Sequence, residues 1–352
     1  LAVALGLEAH ELLDPRRIAR HGIVELEPAQ VLLRDVDAAV GQVFAHVTED
    51  VRQLHRDSQV LGQNLSMMAA GLGRSEAEMR AAADRIRIAA KMASSIDDIL
   101  DQHDNDPLVV NTGKLAIAYF MSLAESKSTM RVAPRIAGEL PLQGTENWLF
   151  QLAKLITSGV RRSQADRCLD NISIVNFNYD RSIEHFLPFA FEMAFGMPLQ
   201  EAQRIVSESL KVVRPYGSIG RLPWQAGEAP ICEWATESPS NIQQLALQIR
   251  TLGELRQDSD AITSIHNAVV SGKRLVVLGF GYQAQNVDLL FDRVLEQQPE
   301  MLVTMLDMAP TNRAAVLQSI RRRTGIERED LPMVAAGSCY ETMRDYSSLL
   351  ES

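Results

Sequence analysis

Aromatic side chains are scarce in this chain, 5% of 352 residues, and there are only three cysteines, Cys168, Cys232 and Cys339. None of the cysteines forms a Cys-x-x-Cys pair. That excludes a four-cysteine zinc ribbon and fits free thiols in a reducing compartment, so a cytoplasmic location is expected. No wholly apolar run approaches the roughly 18 residues that a membrane span needs. Basic residues are also in deficit, with a net charge of −10. Phosphate contacts need clustered Lys and Arg, so no direct nucleic-acid contact is expected. The one basic run, Arg321-Arg322-Arg323, reads as a solvated face complementing the dipole at the end of a helix. There is no Gly-x-Ser-x-Gly elbow and no phosphate loop ending in Gly-Lys. None of the seven histidines, His10, His21, His46, His55, His103, His185 and His266, shows zinc spacing. His185 reads as a core or surface residue. The start, Leu1-Ala2-Val3-Ala4-Leu5-Gly6-Leu7, lacks the basic flank and cleavage pattern of a signal peptide. It also lacks an initiator Met, which predicts a further piece before Leu1.

Apolar residues are plentiful, 46%, enough for a sizeable core in one large domain or two smaller ones. Residues 1–165 read as mostly helical. Ser75-Glu76-Ala77-Glu78 is a capping box, and Met79, Ala82, Ile86, Ala89 and Ala90 follow at helical spacing. Another apolar helix is predicted from Lys114 to Ala124. The patch Ser95-Ile96-Asp97-Asp98-Ile99-Leu100-Asp101 reads, on its residues alone, as a solvated helix face.

Residues 166–352 change rhythm. Short apolar runs at Ile172–Val175, Leu210–Val213, Arg274–Leu278, Leu302–Leu306 and Met333–Ala335 alternate with helices at 182–195, 199–210, 240–255, 258–271, 285–297, 311–323 and 341–350. Strands alternating with helices predict βαβ units and an α/β fold with a parallel sheet. The stretch Gly217–Pro239 reads as a long loop.

Ligands of such sheets bind outside the carboxyl ends of the strands, and three predicted strand ends carry unusual residues. Asn176-Phe177-Asn178-Tyr179-Asp180 follows the first run. An Asn amide can both donate and accept, so it suits a ribose hydroxyl or a water. An Asp can bind vicinal hydroxyls or stabilise positive charge. The same residues also suit an Asx turn, with Asp180 capping a helix that starts at Arg181. Arg214-Pro215-Tyr216-Gly217 follows the second run, where a glycine allows close backbone approach to a ligand or simply makes a loop. Gly279-Phe280-Gly281-Tyr282 follows the third, with Asn286 opening the next helix, a place that suits a phosphate or ribose. Gly-x-Gly without a third glycine is a weak signal by itself.

These stretches, with Ser95–Leu100 and Gly113–Ala118, resemble in order the bacterial sirtuin-like domains of antiphage defence systems, from about residue 95 to the end. The resemblance implies a Rossmann-like parallel sheet of the sirtuin type. Residues 1–165 would be a large helical insertion or subdomain, and 166–352 the NAD⁺-binding part. It implies NAD⁺ as substrate, without a metal, and hydrolysis to nicotinamide and ADP-ribose as a means of NAD⁺ depletion. Asn178 would be catalytic with Asp180 as its partner. Asn176, Tyr179, Arg214, Tyr216, Gly217, Gly279, Phe280, Gly281, Asn286 and Asp97 would line the cofactor site. A homo-oligomer and a partner protein of a defence system are also implied. Two departures stand out. The pyrophosphate loop of the Gly-Ala-Gly-x-Ser type is absent and would precede Leu1. The family's catalytic His falls where this chain has Tyr216 or Arg214. A non-catalytic NAD⁺- or ADP-ribose-binding module, or a structural oligomerisation domain, stay open as alternatives.

Overall fold

The structure, a computed structural model, describes residues 2–5 and 56–351 apart from 94, 132, 135, 143–146 and 329. Its centre is a six-stranded, wholly parallel sheet. The strands are β1 (Ala2–Leu5), β2 (Ser173–Asn176), β3 (Lys211–Val213), β4 (Arg274–Leu278), β5 (Glu300–Thr304) and β6 (Met333–Ala335). Their spatial order is β3-β2-β1-β4-β5-β6. The order therefore runs one way from β1 through β2 to β3 and the other way from β4 to β6, so the winding reverses between β1 and β4.

The mostly helical first part thus also supplies the central strand, which the sequence reading did not pick out. In register, Ala4 lies between Val175 of β2 and Val277 of β4. A division at residue 165 also does not separate two cores. One core joins Leu61, Met79, Ile86 and Leu115 of the helical part to Val175, Leu275, Val277, Met301 and Val303 of the sheet. A second core takes the alternate strand residues, Ile174, Val276, Leu278, Leu302 and Ala335. Successive strand side chains point to opposite faces, so a sheet covered on both sides has near-continuous apolar strands.

The first face is covered by helices α1 (Arg56–Gly71), α2 (Glu76–Ala89), α3 (Ile96–Gln102) and α4 (Pro107–Lys127). The capping box at Ser75 forms as predicted. α4 begins earlier than predicted because Asp106 accepts from the backbone N–H of Leu108 and Val109 and Pro107 sits at the first position. By length and composition α4 could cross a membrane, but 72% of that apolar window is buried inside the fold. The opposite face is packed by α5 (Trp148–Thr157), α6 (Ser182–Phe195) and α7 (Leu199–Ser209).

Two predicted helices are shorter than expected. The span 240–255 breaks into α8 (Ile242–Ala246) and α9 (Leu252–Gln257). Ile249 bridges to Gly217 between them, and Arg250 N–H donates to Tyr216 O. After α10 (Ser259–Val270) and β4, α11 (Ala284–Leu290) ends before 297. There Leu295 N–H donates instead to Thr324 O, and the chain turns into β5. α12 (Pro310–Thr324), α13 (Cys339–Asp345) and α14 (Ser347–Glu351) complete the fold.

Candidate active site

β2 ends at Asn176, and two Asx turns follow. Asn178 N–H donates to Asn176 Oδ1 at 2.9 Å, and Ser182 N–H donates to Asp180 Oδ1 at 2.9 Å. Asn176 therefore spends its acceptor on shaping the turn. Helix α6 starts at Ser182 rather than Arg181, because the Asp180 side chain reaches only that first helical N–H. The other oxygen, Asp180 Oδ2, is buried without a hydrogen-bond partner. The Asn178 side-chain amide likewise makes no hydrogen bond among the described residues, on a residue 7% exposed. A buried polar group left unpaired costs about 1–3 kcal/mol.

Arg214, expected to bind cofactor, is spent inside the protein. Its Nη2 donates to Glu184 Oε1 and Oε2 at 2.7 and 2.8 Å, and its Nη1 donates to the main-chain oxygen of Asn178 at 2.8 Å. Gly217 is shaped by the fold as well. Its φ is +80°, and a Cβ there would lie 1.9 Å from Gln248 O. The close approach of the chain at the bridge to Ile249 requires the glycine.

Tyr179 is buried and its hydroxyl donates to Asp97 Oδ1. Asp97 is thus not on a solvated face. α3 is capped by Ser95 and turns Asp97 and Asp98 toward the sheet edge, where Gln285 Nε2 donates to Asp98 Oδ1 at 3.2 Å. Burial lifts the Asp97 carboxyl from 3.8 to about 6, with the Tyr179 hydrogen bond opposing and the Asp98 charge adding.

The ends of β3 and β4 meet the same edge. Tyr216 OH donates to Asn286 Oδ1 at 2.6 Å. Phe177 packs edge-on against Tyr216 and Phe280, with ring centroids 6.0 and 5.2 Å away, and Phe280 against Tyr282. The turn that carries Asn178 and the 279–281 corner are therefore neighbours. Gly279 N–H donates to Thr304 Oγ1 at 2.8 Å. Tyr282 OH donates to Thr304 O, so β5 fixes the corner from outside. Gly281, between Phe280 and Tyr282 in the sequence, is half-buried. The structure so joins Asp97, Asn176, Asn178, Tyr179, Asp180, Tyr216, Phe280 and Asn286 at one edge.

Sequence reasoning missed Arg181. Its guanidinium is 1% exposed, lies against Glu125 of α4 through two nitrogens, and donates to Cys232 O at 2.6 Å. The available signal was Glu125 itself, a lone acid closing the apolar run of α4. His185 is buried and stacks on Trp234 with centroids 4.1 Å apart. Burial pulls its pKa down to about 3, so it stays neutral. His10, His21, His46 and His55, and the chain leaving β1, lie outside the described residues. Burial pushes the Cys168 thiol up to about 12, which leaves it unreactive. Among the described residues no His, Cys, Asp or Glu cluster is placed to hold a metal.

No family model, curated protein or solved structure matches this chain.

Proposed function

We propose that the chain binds NAD⁺ outside the carboxyl ends of its strands and hydrolyses the bond between nicotinamide and ribose. The observation that carries this reading is the unspent amide of Asn178. It sits on a turn whose backbone is held by Asn176 on one side and Arg214 on the other. The strand order supports it, since β3-β2-β1-β4-β5-β6 is the Rossmann order, whose dinucleotides bind where the winding reverses.

Nicotinamide leaves NAD⁺ from a cationic state, so the transition state resembles an oxocarbenium ion, as in glycoside cleavage. Such chemistry needs oriented sugar hydroxyls, a placed water and a dry pocket. Asn178 can hold a ribose hydroxyl, and Asp180 Oδ2 can accept from one or stabilise the positive charge. Tyr216, Asn286 and the Phe177–Phe280 pair would form the wall beside the sugar. The resemblance to sirtuin-like defence domains extends the reading to NAD⁺ depletion against phage by a cytoplasmic homo-oligomer, with a partner protein.

A second reading is a module that binds NAD⁺ or ADP-ribose and regulates a partner. It is favoured by Arg214 and Tyr216, which stand where the resemblance expects a histidine and are both engaged within the protein. Nicotinamide release followed by chromatography, with calorimetry on the same sample, separates the two. Turnover that drops in Asn178→Ala supports the hydrolase. An unchanged rate in that variant removes the role given to the amide, and binding without turnover selects the module.

A further inference from the structure

The proposed hydrolysis needs a group to take the proton of the attacking water. Arg214 is a spent cation. The Tyr216 phenol is held far above its ordinary range by burial and then by the Asp97, Asp101 and Asp98 carboxylates, so it only donates. Asp97 has the required form. Its Oδ1 is held by the hydroxyl of Tyr179, the residue between Asn178 and Asp180, while its Oδ2 makes no hydrogen bond among the described residues. The helix under it is anchored by buried Ile96, Ile99 and Leu100, which fixes the place of the carboxylate.

We propose that Asp97 is the general base of this site, an assignment that rests on the NAD⁺ reading and deepens it. Oδ2 takes a proton from water as the water oxygen forms its bond to C1′ of the nicotinamide ribose. The C1′–N1 bond breaks, and its electron pair neutralises the pyridinium and releases nicotinamide. ADP-ribose remains, and the proton passes from Asp97 to solvent. Of the neighbouring charges, Asp98 acts on Asp97 directly, and Asp101 of the same helix and Arg256 of α9 act with them on Tyr216. Tyr179 and Tyr216 face it from the strand ends. A carboxyl that titrates near pH 6 in these surroundings is mostly a base at neutral pH.

The test uses the full chain, with nicotinamide release measured against pH and NAD⁺ binding measured by calorimetry. Turnover should rise through about pH 6 to a plateau. Asp97→Asn should lower kcat by about 10²-fold or more while NAD⁺ still binds. Tyr179→Phe removes a hydrogen bond that favours the carboxylate, so it should move the acid limb of the pH profile upward. A wild-type kcat in Asp97→Asn, or an unmoved limb in Tyr179→Phe, overturns the assignment, as does binding without turnover in the wild type. A wild type that neither binds nor cleaves NAD⁺ brings down the underlying reading as well.

Discussion

Arg214 donates to the main-chain oxygen of Asn178 at 2.8 Å and, through its remaining nitrogens, to Glu184. One side chain at the end of β3 thereby fixes the turn after β2 and the first turn of α6. Glu184 is buried, so removing its partner leaves a charge in a place of low polarity. We expect Arg214→Gln to lower unfolding free energy by about 3 kcal/mol, read from urea denaturation. A change under about 1 kcal/mol, the size of an exposed pair, would show that the clamp is not formed.

Gly217 provides a prediction with a different cause. Its backbone is left-handed and its missing Cβ makes room for Gln248 O. Gly217→Ala should cost at least about 2 kcal/mol, from backbone strain and displacement of the 248–249 segment. Thermal melts should show the loss, whereas equal melting temperatures would refute the close approach.

His185 predicts how stability responds to acid. Its folded pKa, about 3, lies below the ordinary 6.5, so the unfolded chain takes up its proton first as pH falls. Its contribution is therefore complete above about pH 6.5 and is lost as pH falls toward about 3, by up to about 1.4 kcal/mol per unit. Denaturation midpoints of wild type and His185→Gln, compared at pH 7, 6, 5 and 4, isolate this imidazole from the carboxyls. The wild type should lose its advantage steadily toward acid, and parallel curves would contradict a buried neutral imidazole.

What the sequence disclosed was local. The apolar runs at Arg274–Leu278 and Met333–Ala335 are strands within the same bounds, and 182–195 is a helix, because each carries its own pattern and its own stop. Gly196, at φ +58°, ends that helix as a left-handed cap should. What it hid was distant pairing. Asp97 looks solvated until Tyr179 is brought against it, and Arg181 looks like a surface cation until Glu125 and Cys232 enclose it. Gly217 and Arg214 were read as facing a ligand because strand-end residues usually have that opportunity. Here the protein's own backbone and Glu184 occupy them first. Ala2–Leu5 carries too few residues to announce a strand, and its neighbours in the sheet are far away in the chain.

That four-residue strand has a mechanical meaning. On one side of it stands a pair of strands and on the other a trio, and no ladder joins the two groups except through its backbone. The Asn178 turn belongs to the pair and the 279–281 corner to the trio, so the two lie on either side of that seam. The spacing between the Asn178 turn and the 279–281 corner is thus set by main-chain geometry, two strand separations of about 4.8 Å each, with the Phe177–Phe280 contact lying across it.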